Sequence, residues 1–398
     1  MRRHEDAPRV ADTEPALIGM VAGEASGDFL GAHVIDALRR RFPRLRFAGI
    51  GGPRMEAAGF DSWFPMEKLA VRGYAEVLRH YPGLVMMRRK LGRRLIAERP
   101  RIFIGVDAPD FNLSLERRLR SRGIPTVHYV SPSLWAWRGS RMQAIRRSVS
   151  KMLVLFPFEE ALYREAGVPV AYVGHPLAEQ IPVEYDREQI REQLKLPLGR
   201  RIIALLPGSR QSELQYMAPV FVRAAVRVLE QQPSAHFLVP LVSRETRAIF
   251  EQALYDASAT ELPLTILFGH ARDALAAAAA VLVASGTATL EAALYRKPMV
   301  IAYKMAETTW RIMSRMRYQP WVGLPNIIAG EFLVPELLQH EATPENLAQA
   351  LLNVLADPVV ARRLPEKLGR IHDLLRRDSA AAVTEALLPW LARASSAA

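Results

Sequence analysis

Cysteine is absent from all 398 residues of the sequence. Its absence excludes disulfide bonds, thiolate metal sites and cysteine nucleophiles, and it fits a cytosolic protein. Long apolar runs are also missing, because the longest uncharged stretch, 274–290, is rich in alanine and is interrupted by serine, glycine and threonine. Such a stretch does not predict a membrane-spanning helix. Residues 1–15 are polar and charged and lack the apolar segment of a secretory signal, so we expect a disordered tail there.

Acidic residues are too few to balance the basic ones. The chain has 41 Asp and Glu against 53 Lys and Arg, which gives a formal net charge of +12. An excess of this size indicates an anionic partner: nucleic acid, an anionic membrane or a phosphorylated substrate. We recognise neither a nucleic-acid-binding module nor a strand platform of aromatic and basic residues, so no nucleic-acid partner is predicted.

The basic residues are concentrated in one amphipathic segment. Between residues 79 and 101, eight Lys and Arg and a single acid are interleaved with apolar side chains. This pattern is typical of a helix that lies on an anionic membrane, although a core helix with a solvated basic face would share it. The candidate membrane-facing residues are Arg88, Arg89, Lys90, Arg93 and Arg94.

Short β-rich runs alternate with helical patterns in both halves of the chain. The predicted strands are 16–22, 44–50, 102–106, 126–130, 152–155, 170–173, 201–206, 235–240, 264–268, 280–284 and 299–302. Alternation of this kind predicts an α/β fold of parallel βαβ units with right-handed crossovers. Ligands of such a fold bind at the carboxyl ends of the strands.

Two Rossmann-like domains of similar size are predicted. The strand and helix pattern is broken after Gly174-His175-Pro176, and a charged segment leads into the second half. We therefore expect an N-terminal domain at 16–185 and a C-terminal domain at 186–365. Residues 366–398 continue a purely helical pattern that begins near Glu345.

The turn after the first predicted strand presents three polar side chains, Glu24, Ser26 and Asp28. Its glycine spacing matches neither a dinucleotide-binding turn nor a P-loop, and Ser26 lacks the surroundings of a nucleophile elbow. For Asp28 we favour a helix N-cap over a ligand contact. Glu24 has no comparable structural explanation, so it is a candidate for the site.

Asp107 directly follows the apolar strand 102–106. A carboxylate in this position can be partly desolvated and serve as a general base, although a structural role is the alternative. Because the ends of parallel strands meet at one sheet edge, Asp107 and Glu24 are predicted to form a small acidic site.

An aromatic loop follows the strand 126–130 and contains Trp135, Trp137 and Arg138. Two indole rings beside a guanidinium suit a sugar ring or an acyl surface with a phosphate nearby. The alternative for the two tryptophans is a hydrophobic plug under the loop, and both interpretations stay open. Arg138 favours the functional one.

The loop 207–210 separates a strand from a long helical pattern. Its candidate ligand residues are Gly208, Ser209 and Arg210, and Ser209 or Ser212 is the expected helix cap. Free backbone N–H groups, the helix dipole and the guanidinium all favour a phosphate. An ordinary strand-to-helix turn with a surface arginine would have the same sequence pattern.

A second turn of this type is predicted after the strand 280–284. It carries Ser285, Gly286 and Thr287 at a helix start, with Glu291 one turn later in a position that suits a ribose diol. Two such turns in one domain point to a nucleotide diphosphate. The chain has no metal-binding motif, so neither a metal nor another cofactor is predicted.

Together these motifs closely resemble those of the lipid-A-disaccharide synthase family. The matching segments, in family order, are VAGEASGD at 21–28, GVDAPDFN at 105–112, YVSPSLWAWR at 129–138, VGHP at 173–176, LLPGSR at 205–210, ASGTATLE at 284–291 and LPN at 324–326. The resemblance runs from about Ala16 to the last helices. It leaves out only the N-terminal tail and the final few residues.

The resemblance implies a GT-B fold, in which the two Rossmann-like domains face each other across a cleft. It also implies that the C-terminal helices pack back on the N-terminal domain of the same chain or of a partner in a homodimer. The implied enzyme is an inverting glycosyltransferase that joins UDP-2,3-diacylglucosamine to the 6-hydroxyl of 2,3-diacylglucosamine 1-phosphate. Its products are a β-1,6-linked disaccharide 1-phosphate and UDP.

The family pattern also implies roles for individual residues. Asp107 corresponds to the base, Glu24 to a second catalytic carboxylate, Arg210 to the diphosphate ligand, and Asn326 to a residue near the donor. Because both substrates carry acyl chains, we expect a cytoplasmic enzyme that docks on the anionic inner leaflet through the basic segment. The alternative is another GT-B enzyme, namely an undecaprenyl-linked muropeptide glycosyltransferase or a UDP-sugar epimerase.

Overall fold

A computed structural model of the chain describes four stretches: residues 16–69, 74–132, 140–315 and 320–392. The predicted tail at 1–15 lies outside them, as do the loop residues Trp135, Trp137 and Arg138. Within the described stretches, no helix is both long enough and apolar enough to span a bilayer.

The described residues alternate strands and helices from the first element to the last. The strands are β1 (Leu17–Ala22), β2 (Arg46–Ile50), β3 (Phe60–Ser62), β4 (Ile102–Val106), β5 (Thr126–Tyr129), β6 (Lys151–Val154), β7 (Val170–Tyr172), β8 (Arg201–Leu206), β9 (Ala235–Leu241), β10 (Leu264–Phe268), β11 (Ala280–Ala284), β12 (Met299–Tyr303) and β13 (Glu336–Leu338). The helices are α1 (Ala25–Arg41), α2 (Pro53–Ala57), α3 (Tyr74–Glu98), α4 (Pro109–Arg120), α5 (Ser140–Ser148), α6 (Pro157–Glu165), α7 (Pro176–Gln180), α8 (Arg187–Gln193), α9 (Gln211–Gln231), α10 (Arg244–Asp256), α11 (Ala271–Ala277), α12 (Thr287–Leu294), α13 (Glu307–Arg315), α14 (Leu324–Ala329), α15 (Pro344–Ala356), α16 (Pro358–Leu375) and α17 (Ser379–Leu391). The eleven predicted strands are confirmed to within two residues at each end, and only the three-residue strands β3 and β13 were not predicted.

The first sheet has seven parallel strands among the described residues, in the order β3-β2-β1-β4-β5-β6-β7. Its central strands β1 and β4 are buried along their whole length, as expected for a parallel sheet covered by helices on both faces. The order reverses direction between β1 and β4. Doubly wound sheets bind their ligands at such a switch point, beyond the carboxyl ends of the strands.

The second sheet repeats this topology with six parallel strands among the described residues, in the order β10-β9-β8-β11-β12-β13. Leu206 of β8 is paired with Val283 of β11, so the loops that follow these two strands start side by side. The core under this sheet is built by the apolar faces of β8, β9 and β11 and by helices α9, α10 and α15. The switch point lies between β8 and β11.

The described chain divides into two compact units at other positions than the predicted 185/186 and 365/366. Residues up to Pro176 and from Leu375 on form the first unit, and Leu177–Leu374 forms the second. The segment after Pro176 belongs to the second unit because it packs there: the Tyr185 hydroxyl donates to the Tyr295 carbonyl at 3.2 Å.

The segment 366–398 was predicted to return to the N-terminal domain. Among its described residues, α17 belongs to the first unit, whereas those up to Leu374 belong to the second. Helix α16 belongs to the second unit, where the buried Nε2 of His372 lies 2.7 Å from the carbonyl oxygen of Ala178. Helix α17 packs against α1 and accepts hydrogen bonds from the first unit, including one from Arg101 to the Leu391 carbonyl at 2.9 Å.

Candidate functional site

The polar turns predicted after β1 and β4 lie next to each other in the first unit. Ala22 and Val106, the last residues of the two strands, are paired in the ladder. A Cβ atom placed on Gly23 would be 2.9 Å from the Cβ atom of Ala108. The half-buried residue Glu24 is the N-cap residue of α1, and Asp107 is half-buried on the neighbouring turn.

The turn at Asp107 has an unusual backbone. Asp107 and Ala108 are both left-handed, with φ of 53° and 44°. At the end of the next strand, the β-branched residue Val130 has φ of 82°. A left-handed residue other than glycine costs roughly 1–2 kcal/mol, and such conformations concentrate at functional sites. Strain at two adjacent strand ends therefore marks this edge of the sheet.

Ser26 and Asp28 lie inside α1 rather than on the turn before it. The N-cap role predicted for Asp28 is wrong for its own helix, because its carboxylate caps α2 instead. Its Oδ1 accepts from the backbone amides of Gly52 at 2.9 Å and Met55 at 3.0 Å, while its Oδ2 accepts from the backbone amide of Arg54 at 3.0 Å. These three hydrogen bonds occupy the carboxylate of the buried Asp28 and favour a structural role for it.

A buried polar cluster lies beneath the end of β5. The hydroxyl groups of Ser131 and Tyr163 are 2.8 Å apart, and the Glu159 Oε2 atom accepts from the Phe156 amide at 3.1 Å. Burial raises the pKa of Glu159 to about 8. The sequence did not predict this cluster, because Ser131 follows β5 whereas Glu159 and Tyr163 lie in α6, and the three share no local pattern.

The loop 207–210 in the second unit is held by an acid that the sequence reasoning missed. The N-cap residue of α9 is Arg210, not Ser209 or Ser212. The Oε2 atom of Glu213 accepts from the Ser209 and Arg210 amides at 3.2 and 3.3 Å, and Oε1 accepts from the Arg210 guanidinium at 2.7 Å. Gly208 has φ of 125°, and a Cβ atom there would lie 2.9 Å from Glu213. A phosphate would compete with Glu213 for these donors.

The second predicted turn, after β11, is more open. The N-cap residue of α12 is Gly286, which has no side chain to cap the helix. Gly286 and Thr287 are exposed, and Ser285 is half-buried. Because β8 and β11 are neighbours, the N-termini of α9 and α12 both follow strands of the switch point. Helix N-termini favour bound anions, so this edge of the sheet suits a ligand that carries phosphates.

Glu291 and Asn326 are already engaged by protein groups. Glu291 Oε1 lies 3.5 Å from Nε of Arg272. Asn326 is fully buried, and its amide group donates to the Val334 carbonyl and to Glu336 at 2.9 and 2.8 Å. Its oxygen accepts from Leu333 and Val334 amides. The hydrogen bonds of the Asn326 side chain thus order the chain segment that leads into β13.

The basic segment is part of α3, and its charged residues divide into two groups. Arg88 donates to the Asp110 carbonyl at 3.3 Å, and the Arg94 guanidinium stacks 3.8 Å from the Trp63 ring centroid. The other three are exposed and line a shallow depression of about 380 Å³ with apolar neighbours: Pro82, Val85, Met86, Arg89, Lys90 and Arg93. Met87, Leu91 and Leu95 of the same helix are buried in the core.

Comparison with known proteins assigns the family. A family model described as lipid-A-disaccharide synthetase matches residues 18–382. The lipid-A-disaccharide synthase of Methylobacillus flagellatus is 54% identical over 94% of this chain and 99% of its own length. That of Azoarcus sp. is 52% identical over 98% of both chains, and that of Pseudomonas paraeruginosa is 49% identical over 94% of this chain and 98% of its own.

Solved structures with the same architecture are much more distant in sequence. A UDP-GlcNAc 2-epimerase from Neisseria meningitidis, bound to UDP-GlcNAc, has a TM-score of 0.66 at 12% identity, covering 94% of this chain and all of its own. Acinetobacter baumannii MurG has a TM-score of 0.55 at 14% identity, with 93% and 98% coverage. These likenesses show the GT-B fold. On the family match and the relatives, the chain belongs to the lipid-A-disaccharide synthase family of glycosyltransferases.

Proposed function

We propose that this chain transfers the sugar of UDP-2,3-diacylglucosamine to the 6-hydroxyl of 2,3-diacylglucosamine 1-phosphate. The acceptor oxygen bonds to the anomeric carbon with inversion as the bond to the diphosphate breaks. The hydroxyl proton goes to a base of the enzyme, and the bonding electron pair leaves with UDP. The products are the β-1,6-linked disaccharide 1-phosphate and UDP.

The observation that carries the proposal is the pairing of β8 with β11, which sets two helix N-termini at one switch point. Residues of the two turns would bind the diphosphate: Gly208, Ser209, Arg210, Ser285, Gly286 and Thr287. Negative charge develops on UDP as it leaves, and helix N-termini and a guanidinium stabilise such charge. Glu291 is proposed to contact the ribose, and Asn326 to support the site by ordering the chain before Glu336.

The base is proposed to be Asp107, beside Glu24 at the β1/β4 switch point. Support comes from the half-burial of Asp107 and from the left-handed backbone at Asp107 and Ala108, which is costly without a purpose. Glu24 would bind hydroxyl groups of the acceptor. Ser26 on the first turn of α1 is a further acceptor contact, whereas the bonds of Asp28 to α2 favour a structural role.

The aromatic loop is proposed to contact the acceptor as well. Trp135, Trp137 and Arg138 follow β5, whose end adjoins the Asp107 turn through the pairing of Tyr129 with Val106. Indole faces suit the acyl or sugar surface, and the guanidinium suits the 1-phosphate.

We also propose that the exposed face of α3 docks on the anionic inner leaflet, which makes the protein a cytoplasmic peripheral membrane enzyme. The exposed fraction of Met86 is 57%, and three cations adjoin it. An apolar side chain for the acyl boundary and cations for the lipid phosphates are the two contributions that such binding needs. Of the five predicted membrane-facing residues, Arg89, Lys90 and Arg93 are the ones retained.

A homodimer, with or without exchange of C-terminal helices, stays a prediction. Helix α17 packs on the first unit of its own chain. Sedimentation equilibrium of the purified protein would measure the oligomeric state, and a monomer at all concentrations would contradict the prediction.

The reaction is tested with labelled 2,3-diacylglucosamine 1-phosphate and the UDP donor in mixed micelles. We expect a disaccharide 1-phosphate and one equivalent of UDP. Absence of the disaccharide under conditions in which the protein binds UDP would overturn the proposed activity. Epimerised donor in place of disaccharide would instead favour the epimerase.

A further inference from the structure

We propose that Asn112 is a positioning residue for the transfer reaction: its side chain and backbone clamp the left-handed turn that carries Asp107, and a buried pair, Glu116 and His128, lies against Gly105 beside it. This inference rests on the proposed role of Asp107 as the base. It adds three residues that neither the motif analysis nor the family resemblance assigned to the site.

Asn112 bonds to both strained residues of the turn. Its Nδ2 donates to the Asp107 carbonyl at 2.8 Å, and its backbone amide donates to the Ala108 carbonyl at 3.0 Å. Phe111 donates a second bond to the Ala108 carbonyl at 3.0 Å, and the Asp107 amide donates to the Tyr129 carbonyl at 2.8 Å. The bond from the Asn112 side chain adds to these main-chain bonds and holds the Asp107 carbonyl in place.

Asn112 also connects the turn to the neighbouring strand. Its Nδ2 lies 3.4 Å from the carbonyl oxygen of Val21, next to the end of β1. The turn that carries Glu24 begins two residues later, at Gly23. One fully buried amide group therefore contacts the backbone at both halves of the β1/β4 switch point.

Gly105 explains why these side chains can lie so close to the strand. A Cβ atom at this position would be 2.2 Å from Glu116 Oε1 and 3.0 Å from the Cβ and Cγ atoms of Asn112. Asn112 and Glu116 are four residues apart and share one face of α4. Any larger residue at 105 would push α4, and the Asn112 clamp with it, away from the turn.

A buried carboxyl and imidazole pair lies against Gly105, one helical turn along α4 from Asn112. Glu116 Oε1 and His128 Nδ1 are 2.7 Å apart, both side chains are fully buried, and His128 is paired with Gly105 in the ladder. Burial raises the pKa of Glu116, while the adjacent His128 opposes the rise. Asn112 Oδ1, Glu116 Oε2 and His128 Nε2 have no partner within the described protein. Such a costly arrangement is consistent with a role beyond packing.

The test is Asn112→Ala, measured for kcat, for KM of each substrate, for UDP affinity and for thermal unfolding. We expect kcat to fall about 100-fold, as expected when a catalytic group is displaced by about 1 Å. UDP affinity should stay within about twofold, because UDP is proposed to bind in the other unit. Asn112→Ser keeps a hydrogen-bond donor on a shorter side chain, and it replaces Asn112→Ala in this test if that variant fails to fold.

A second-site variant separates positioning from general stability. Glycine adopts positive φ without strain, so Ala108→Gly added to Asn112→Ala should recover about tenfold in kcat without restoring the buried contacts. Ala108→Gly alone measures the effect of the glycine itself. Full kcat in folded Asn112→Ala, or no recovery in the double variant, would overturn the inference.

The two proposals fail in different ways. If Asp107→Asn retains turnover, the base is misassigned and the positioning role falls with it. If Asp107→Asn abolishes turnover while folded Asn112→Ala and Asn112→Ser keep the kcat of the wild type, only the role of Asn112 is wrong.

Discussion

Glu213 holds Arg210 with a hydrogen bond of 2.7 Å from the guanidinium to the carboxylate. The same carboxylate accepts from the amides of Ser209 and Arg210 at the start of α9. The proposed diphosphate loop therefore already contains an anion of the protein, bound to the groups that a phosphate would use. Binding of UDP is expected to displace Glu213 or to share its hydrogen-bond donors. We therefore expect Glu213 to lower the affinity for UDP.

Glu213→Gln should bind UDP more tightly. The change removes a negative charge next to the proposed diphosphate while keeping the shape of the side chain. We expect a gain of about fivefold in affinity, equivalent to the ~1 kcal/mol between two charges about 4 Å apart in water. Titration calorimetry with UDP measures it, and Glu251→Gln is the control because Glu251 also pairs with an arginine, Arg247, on the exposed face of α10. Equal or weaker binding would contradict the prediction.

Arg210→Ala should weaken UDP binding and turnover together. Loss of a charge-assisted hydrogen bond to a phosphate costs about 1.5–3 kcal/mol, which is roughly ten- to a hundredfold in affinity. The same calorimetric titration and a turnover assay measure the effect. Arg247→Ala, which removes an arginine paired to Glu251, is the matched control. Unchanged values for both quantities would remove Arg210 from the phosphate site.

Asp107→Asn should abolish turnover and leave UDP affinity nearly unchanged. An amide cannot take the proton of the acceptor hydroxyl, and a general base contributes about 10²–10⁴-fold to the rate. Asp110→Asn is the control in the adjoining first turn of α4, since the Asp110 side chain is 93% exposed and pairs with Arg141. A rate close to that of the wild type would exclude Asp107 as the base.

Replacing Arg89, Lys90 and Arg93 with serine should release the protein from anionic vesicles. At about 1 kcal/mol for each basic residue near the surface, the partition coefficient should fall about 100-fold. Sedimentation with phosphatidylglycerol vesicles measures it. The control replaces three exposed arginines of α16 in the other unit: Arg362, Arg363 and Arg370. If both triple variants lose binding equally, net charge and not the α3 face carries the effect.

Acid should destabilise the first unit through His175. Burial, with a smaller effect of His33, lowers the pKa of His175 from 6.5 to about 3. Between these values the unfolded chain binds a proton that the folded protein does not, so stability falls as the pH drops from about 6.5 towards 3.

The slope of this loss reaches about 1.4 kcal/mol per pH unit. Urea unfolding of the wild type and of His175→Gln between pH 7 and pH 5 measures the difference. We expect the advantage of the wild type over the variant to shrink as the pH falls. A difference that does not change with pH would contradict a neutral, buried His175.

Local sequence patterns were enough to predict most of the fold. The strands of both sheets are apolar runs bounded by turn residues, and a run such as 102–106 is buried on both faces wherever its neighbours lie. The short edge strands β3 and β13 were missed because three residues carry too little pattern. The positions of Glu24, Asp107, Gly208 and Ser285 at strand ends followed from the same local reasoning.

Partners far apart in the chain could not be predicted in this way. Asp28 was expected to cap its own helix, but it caps α2, which starts 25 residues later, because the pairing of β1 with β2 brings the two helices together. Glu213 was missed for a different reason: it is close in sequence, but its side chain folds back over Gly208, where a Cβ atom would lie 2.9 Å from it.

The sequence alone thus determined the α/β class, the two repeated sheets, the strand-end turns and, through its motifs, the family. Tertiary structure decided which of those polar residues form hydrogen bonds within the protein core and which stay partly exposed at the strand ends. Asn326 and Asp28 fall in the first group, whereas Asp107 stays half-buried on a turn clamped by Asn112. The physical reason is that periodicity and turn propensity act over a few residues, but the partner of a hydrogen bond is set by strand order and packing.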